Sequence, residues 1–145
     1  MFEIEKAKIG DLEYISILAK DIYLKYNSNF DTKEGIDNVL KFISLDNIKS
    51  RNSLILQAKD FTKKIIGMIE IINNNHISLF FVNDKYFKRG IATKLFESAI
   101  NICNSKLYTV KSSYYALGFY KKLGFVQLFN DIQVVNGVHF YYMIY

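Results

Sequence analysis

The run from His76 to Ile100, HISLFFVNDKYFKRGIATKLFESAI, constrains this chain more than any other: a short strand, a cationic turn with one glycine, and an amphipathic helix follow in succession. Ile77 to Val82 is apolar except for Ser78 and rich in branched and aromatic residues, a length and composition that suit a central strand better than a helix. Asn83 and Asp84 end it. Gly90 frees the backbone for a turn that a side chain would obstruct, and the small Ala92 permits close approach. From Ile91 onward, Leu95, Phe96, Ala99, Ile100 and Cys103 fall on one side of a helix, with Lys94, Glu97, Asn101 and Asn104 on the other. The first N–H groups of that helix lack intrahelical partners, and the positive end of its dipole faces Lys88 and Arg89. Such a turn can cradle a pyrophosphate. An ordinary helix start with solvated cations reads from the same residues equally well. No Gly-Lys-Ser/Thr ends the turn and no triplet of spaced glycines precedes it, so neither a Walker loop nor a dinucleotide fingerprint is present.

The flanking chain supplies the rest of a mixed α/β domain. Residues 2–7 alternate apolar and polar as a half-buried strand does. Leu12, Ile15, Ala19, Ile22 and Tyr26 form a helical stripe, and Ile36, Val39, Leu40 and Ile43 form another, capped by Asp31 or Thr32. Leu54 to Ala58 and Lys64 to Ile72 read as an antiparallel hairpin, and Asn73-Asn74-Asn75 turns the chain into the central strand. After the central helix come a strand from Leu107 to Lys111 and a helix from Tyr114 to Leu123, started by Ser112 or Ser113 and ended by Gly124. A final pair, 125–135 and 138–145, closes around Asn136-Gly137. The predicted order is β-α-α-β-β-β-α-β-α-β-β, in a single domain spanning 1–145.

With half of its 145 residues hydrophobic, the chain has apolar material for one sizeable core. Its net charge of +5 fits an anionic partner without choosing one. Scattered cations, and aromatics at strand and helix positions, argue against nucleic acid as that partner. No apolar run reaches the length of a membrane span, and the N-terminus lacks the form of a signal peptide, so a cytoplasmic protein without a membrane partner is expected. One cysteine and two distant histidines, His76 and His139, provide no metal spacing, and no metal is expected. The apolar last strand would allow a homodimer if it lies at the sheet edge, and a monomer is equally compatible.

A second stretch joins the first: Ser113-x-x-Ala116-x-x-x-Tyr120-Lys121-Lys122-Leu123-Gly124-Phe125. Together the two resemble the GNAT superfamily of acyl-CoA-dependent N-acetyltransferases, whose cradle reads Gln/Arg-x-x-Gly-x-Gly/Ala and whose later motif ends Tyr-x-x-x-Gly-Phe. Here the cradle is Phe87-Lys88-Arg89-Gly90-Ile91-Ala92, with Phe87 in place of the usual Gln or Arg. Since the family holds pyrophosphate mainly through backbone N–H groups, that change weakens the cradle without abolishing it. The resemblance implies a largely antiparallel central sheet flanked by helices and acetyl transfer from acetyl-CoA to a primary amine, on a small molecule or a peptide, by direct attack in a ternary complex. It assigns pyrophosphate to the backbone of Lys88, Arg89, Gly90, Ile91, Ala92 and Thr93, the pantetheine arm to the strand edge at Phe81 and Val82, and a further contact with that arm to Ser113. It makes Tyr120 the general acid for the departing thiolate. It also implies that the loop from Tyr26 to Phe30 borders the acceptor site.

For the base, the residues leave Glu70, His76 or a water chain. By period two, Glu70 lies with Ile66, Met68 and Ile72 on one strand face, and a carboxylate among apolar neighbours holds a proton readily enough to take one from an amine. A solvent-facing edge position is the alternative. His76, at the start of the central strand, is a relay or a plain strand-end residue. Cys103 lies on the apolar helix face as an inert hydrophobe, which leaves direct transfer rather than an acyl-enzyme. The competing reading is a non-catalytic acyl-CoA sensor or interaction module, favoured by Phe87 and opposed by Tyr120.

Overall fold

The computed structural model describes residues 1–145. Strand β1 (Phe2–Lys6) leads through a 3-10 turn into α1 (Leu12–Ile22), which continues as one turn of π-helix, Tyr23–Asn27. Then come α2 (Lys33–Ile43), α3 (Leu45–Ser50), β2 (Leu54–Asp60), β3 (Ile65–Ile72) and β4 (His76–Val82). Helix α4 (Ile91–Cys103), β5 (Thr109–Ser112) and α5 (Leu117–Leu123) precede β6 (Val126–Gln127), β7 (Gln133–Val135) and β8 (Val138–Ile144). The sheet order is β1-β2-β3-β4-β5-β8-β6, with β7 also paired to β8. Every pairing is antiparallel except β4 with β5, giving an open, mostly antiparallel sheet flanked by helices, as expected.

Each sheet face carries its own core. Ile91, Leu95, Phe96 and Ala99 of α4 pack on Leu56, Ile69, Ile71, Ile77, Val110 and Met143, while Leu12, Ile15, Ala19 and Ile22 of α1 pack with Ile43, Ile48, Met68 and Leu79 on the opposite face. Burial of each such aliphatic side chain contributes about 1.5–3 kcal/mol, enough to commit both faces of the sheet to helices. No helix is long and apolar enough to cross a membrane.

Four details depart from the expected elements. Helix α3 was not foreseen, because a six-residue segment anchored by one buried side chain, Ile48, is too short to display a period. The expected strand 125–135 is broken into β6 and β7, which pair with opposite ends of β8. Helix α5 begins at Leu117, three residues late, since Ser113 organises a turn first: its Oγ accepts the N–H of Ala116 at 3.1 Å. On β3, a register shift opposite Ala58 and Lys59 turns Ile66 towards α4 and Ile65 towards α1, the reverse of strict alternation.

Asn136 and Gly137, both left-handed (φ +50° and +80°), make the tight β7–β8 turn, which leans on the start of α2. Thr32 N–H donates to the Gly137 carbonyl at 2.9 Å, and a Cβ at Gly35 would lie 2.1 Å from that carbonyl oxygen. The turn and helix thus meet backbone to backbone.

Candidate active site

Strands β4 and β5 run parallel yet pair only at His76–Thr109 and Ile77–Val110. Beyond that they part, leaving the β4 edge from residue 78 to 82 unpaired on the side facing β5. A cavity of about 400 Å³ opens along this edge, lined mainly by hydrophobic side chains. Phe81 and Val82 line it, as do Lys88, Gly90, Ile91, Ala92, Thr93 and Tyr120. The fold brings these eight predicted residues to one place; Arg89 stands beside them, its guanidinium 5.2 Å over the Tyr86 ring.

Lys88 (φ +62°) and Gly90 (φ +79°) are both left-handed, and this alternation turns successive N–H groups towards one side at the start of α4. The first intrahelical bond there is Lys94 N–H to Gly90 O, so the N–H groups of Ile91, Ala92 and Thr93 remain free for an anion. The free strand edge and the free helix N-terminus suit an extended, amide-bearing arm ending in a pyrophosphate.

Tyr120 is buried between Phe119 and Phe125, with ring centroids 5.4 and 5.3 Å away, and its hydroxyl makes no hydrogen bond within the protein. Burial alone pushes that hydroxyl well above the usual phenolic range, so it stays protonated. Cys103 lines no described cavity, and its thiol is also pushed up by burial.

The π-turn spans the gap between the two parted strands. Its wide turn is closed by Ser28 N–H to Tyr23 O at 3.0 Å. Tyr26 stacks on Tyr115 (4.9 Å) and packs against Phe87 (5.4 Å), and its hydroxyl donates to Asp84 at 3.2 Å. Asn27 Nδ2 donates to Ser113 Oγ at 2.7 Å. Phe87 thus holds this strap. Ser113 lies outside the 400 Å³ cavity and has both Asn27 and Ala116 as donors, which leaves only its hydroxyl proton to offer.

A second cavity, of about 550 Å³, lies on the α1–α2 side of the sheet. It shares the lining residues Asn27 and Phe81 with the first, so the two cavities adjoin there. Its charged and titratable lining comprises Tyr23, Asp31, His76, Lys111 and His139. Asp31 accepts the Tyr23 hydroxyl and the His139 N–H, the latter at 2.7 Å. Thr32, not Asp31, caps α2, with Oγ1 accepting from Gly35 N–H at 3.1 Å. Asp31, Lys111 and His139 were not singled out for the site: nothing in their local pattern distinguishes them, and only the β8 contacts bring them together.

His76 lines the second cavity, but it starts β4 while Val82 ends it, roughly 20 Å away. Its Nδ1 meets Thr109 Oγ1 at 2.7 Å, and burial, aided by the Lys111 charge, holds its pKa below 6.5. Glu70 is corrected: its surroundings are not apolar, and it lines neither cavity. Fully buried, it receives Arg51 Nε and Nη2 at 3.1 and 3.0 Å, Ser53 Oγ at 2.7 Å and Ser78 Oγ at 2.6 Å. Those four donors occupy the oxygens that a base needs free.

A family model described as acetyltransferase (GNAT) domain matches residues 29–145. Among solved structures, a GCN5-related N-acetyltransferase from Rhodopseudomonas palustris is 17% identical with a TM-score of 0.79, covering 98% of this chain and 93% of that one. A GNAT-family acetyltransferase from Staphylococcus aureus is 19% identical (TM-score 0.77; 99% and 98% covered). The PaiA N-acetyltransferase of Thermoplasma acidophilum, solved in complex with coenzyme A, is 20% identical (TM-score 0.73; 99% and 98%).

Proposed function

The chain belongs to the GNAT acetyltransferase family, and from that premise we propose that it moves an acetyl group from acetyl-CoA to a primary amine by direct attack. The observation that carries this reading is the junction of the two cavities at Asn27 and Phe81, with an unpartnered Tyr120 in the first. The free N–H groups at the start of α4 and the bare edge of β4 fit the pyrophosphate and pantetheine of a CoA thioester. Lys88 and Arg89 add charge, Thr93 its hydroxyl, and an N–H of the β4 edge polarises the thioester carbonyl.

The amine nitrogen forms the new C–N bond as the C–S bond breaks and its electron pair leaves on sulfur. Tyr120 gives its proton to that sulfur and is restored by one of the two protons the ammonium loses; the other leaves to solvent. An isolated phenol near 10 is a weaker acid than a thiol near 8.5, so the transfer is uphill. Burial penalises the thiolate in the same cavity as well as the phenolate, which narrows the gap. His76, kept neutral by burial, serves as a relay reached through water rather than as a direct base.

Thiol release from acetyl-CoA against a panel of amines, with CoA affinity from calorimetry, tests the reading. Tyr120→Phe should lose about 100-fold or more in kcat at unchanged CoA affinity. Loss of CoA affinity in step with kcat would argue that Tyr120 packs rather than reacts. Tight CoA binding without turnover on any amine would favour a non-catalytic acyl-CoA sensor, for which Ser113, already engaged by Asn27, speaks. Absence of CoA binding would remove both readings.

A further inference from the structure

The second cavity carries two opposite charges that no ion pair to lysine, arginine or a carboxylate neutralises. The Asp31 side chain is only 3% exposed, and its donors, the Tyr23 hydroxyl and the His139 N–H, are both neutral. The His139 ring stands nearby, with Nδ1 3.8 Å from Oδ1, buried and without a hydrogen bond. A carboxylate sealed in this way favours a cation as its next neighbour.

On the adjacent residue of β8, the Phe140 ring carries the Lys111 ammonium 5.0 Å from its centroid, and Lys111 enters no salt bridge. Burial keeps neighbouring His76 neutral near pH 7, so Lys111 is the fixed cation at that end. Asp31 and Lys111 are thus anchored on consecutive β8 residues, and both line the cavity. Asp31 follows Asn27, a junction residue, through the turn closed by Asp31 N–H to Ser28 O at 3.0 Å. Lys111 stands close enough to His76 for its charge to act on that ring.

We propose that this cavity takes a small zwitterion, an amino acid or ω-amino acid, with its ammonium at Asp31 beside the junction and its carboxylate at Lys111; the assignment rests on the acetyl-transfer reading above. The ammonium end then lies where the thioester would be met. A diamine or polyamine fits poorly, because its second cation would face Lys111 at close range.

The test pairs zwitterions with amines lacking the carboxylate: L-lysine with cadaverine, L-tyrosine with tyramine, 4-aminobutyrate with propylamine, and putrescine and spermidine beside them. Turnover is read by thiol release, and binding without CoA by ligand-detected NMR. At least one zwitterion should exceed its partner by about tenfold in kcat/KM, mainly through KM, and Lys111→Gln should erase that margin without lowering the Tm. Lys111→Glu should turn the preference towards the diamines. Preference for the diamines in the parent protein, or a margin untouched by Lys111→Gln, would overturn the assignment. Should nothing in the panel turn over, zwitterion binding lost in Lys111→Gln would still support it, and absence of zwitterion binding in the parent would overturn it. Failure to bind CoA would instead remove the acetyl-transfer reading and leave the binding experiment to decide this one.

Discussion

Glu70 and Asp31 are both sealed from solvent, yet the protein compensates them in opposite ways. Glu70 lies between two sheet neighbours under the α2–α3 corner, gripped by Arg51, Ser53 and Ser78, with Arg51 in turn bonded to the Phe42 carbonyl at 2.8 Å and stacked over the Phe42 ring. Its charge is spent inside the fold. Ser78, one of its donors, sits at the register shift between β3 and β4, just past the point where β4 leaves β5, so the network holds the strand whose edge becomes the cleft. Asp31 receives neutral donors only and opens on a cavity. Burial alone therefore does not mark a functional carboxylate; what matters is whether the protein already provides its counter-charge.

That contrast breaks first, and most visibly, at Arg51. Arg51→Met strands a fully buried carboxylate and should cost about 3–5 kcal/mol in urea unfolding, most of it regained in Arg51→Met/Glu70→Leu. A loss below about 1 kcal/mol would mean that Glu70 is not held as its contacts suggest. Asp31→Asn sharpens the other side. It keeps an acceptor oxygen for the His139 N–H and removes a charge that has no fixed partner, so stability should stay within about 1 kcal/mol while the acceptor KM rises about tenfold. Equal stability losses at the two positions would dissolve the distinction.

The smallest expected effect is a pH slope. Because burial holds His76 below 6.5, the unfolded chain binds the proton more readily than the folded one, and stability rises with pH in the window just below 6.5 and levels above it. His76→Gln should flatten the Tm profile there; an unchanged slope would assign it to other groups.

Most of the lining of the first cavity was legible because it is built from consecutive residues. A strand, a left-handed glycine and a helix start impose their own geometry, so the turn over 87–93 reads directly from the chain, and Tyr120 follows from a motif of fixed spacing. The reading of Glu70 failed because period two gives a face and not a neighbour. Arg51 lies nineteen positions away, in a segment between α3 and β2 that has no pattern of its own. Phe87 shows the same limit: read as a lost polar contact, it is also a gained aromatic one with Tyr26.

Sequence alone determined the order of most elements, the glycine turn before α4 and the place of Tyr120, since local backbone preference and apolar periodicity act over a few residues. Tertiary structure alone decided which carboxylate is neutralised and which charges line the second cavity. Asp31 meets His139 across 108 positions, and Asn27 meets Ser113 across 86. Those contacts exist because α1, α2 and β8 pack around one splayed pair of strands, and no local preference records which polar side chains that packing will leave without a partner.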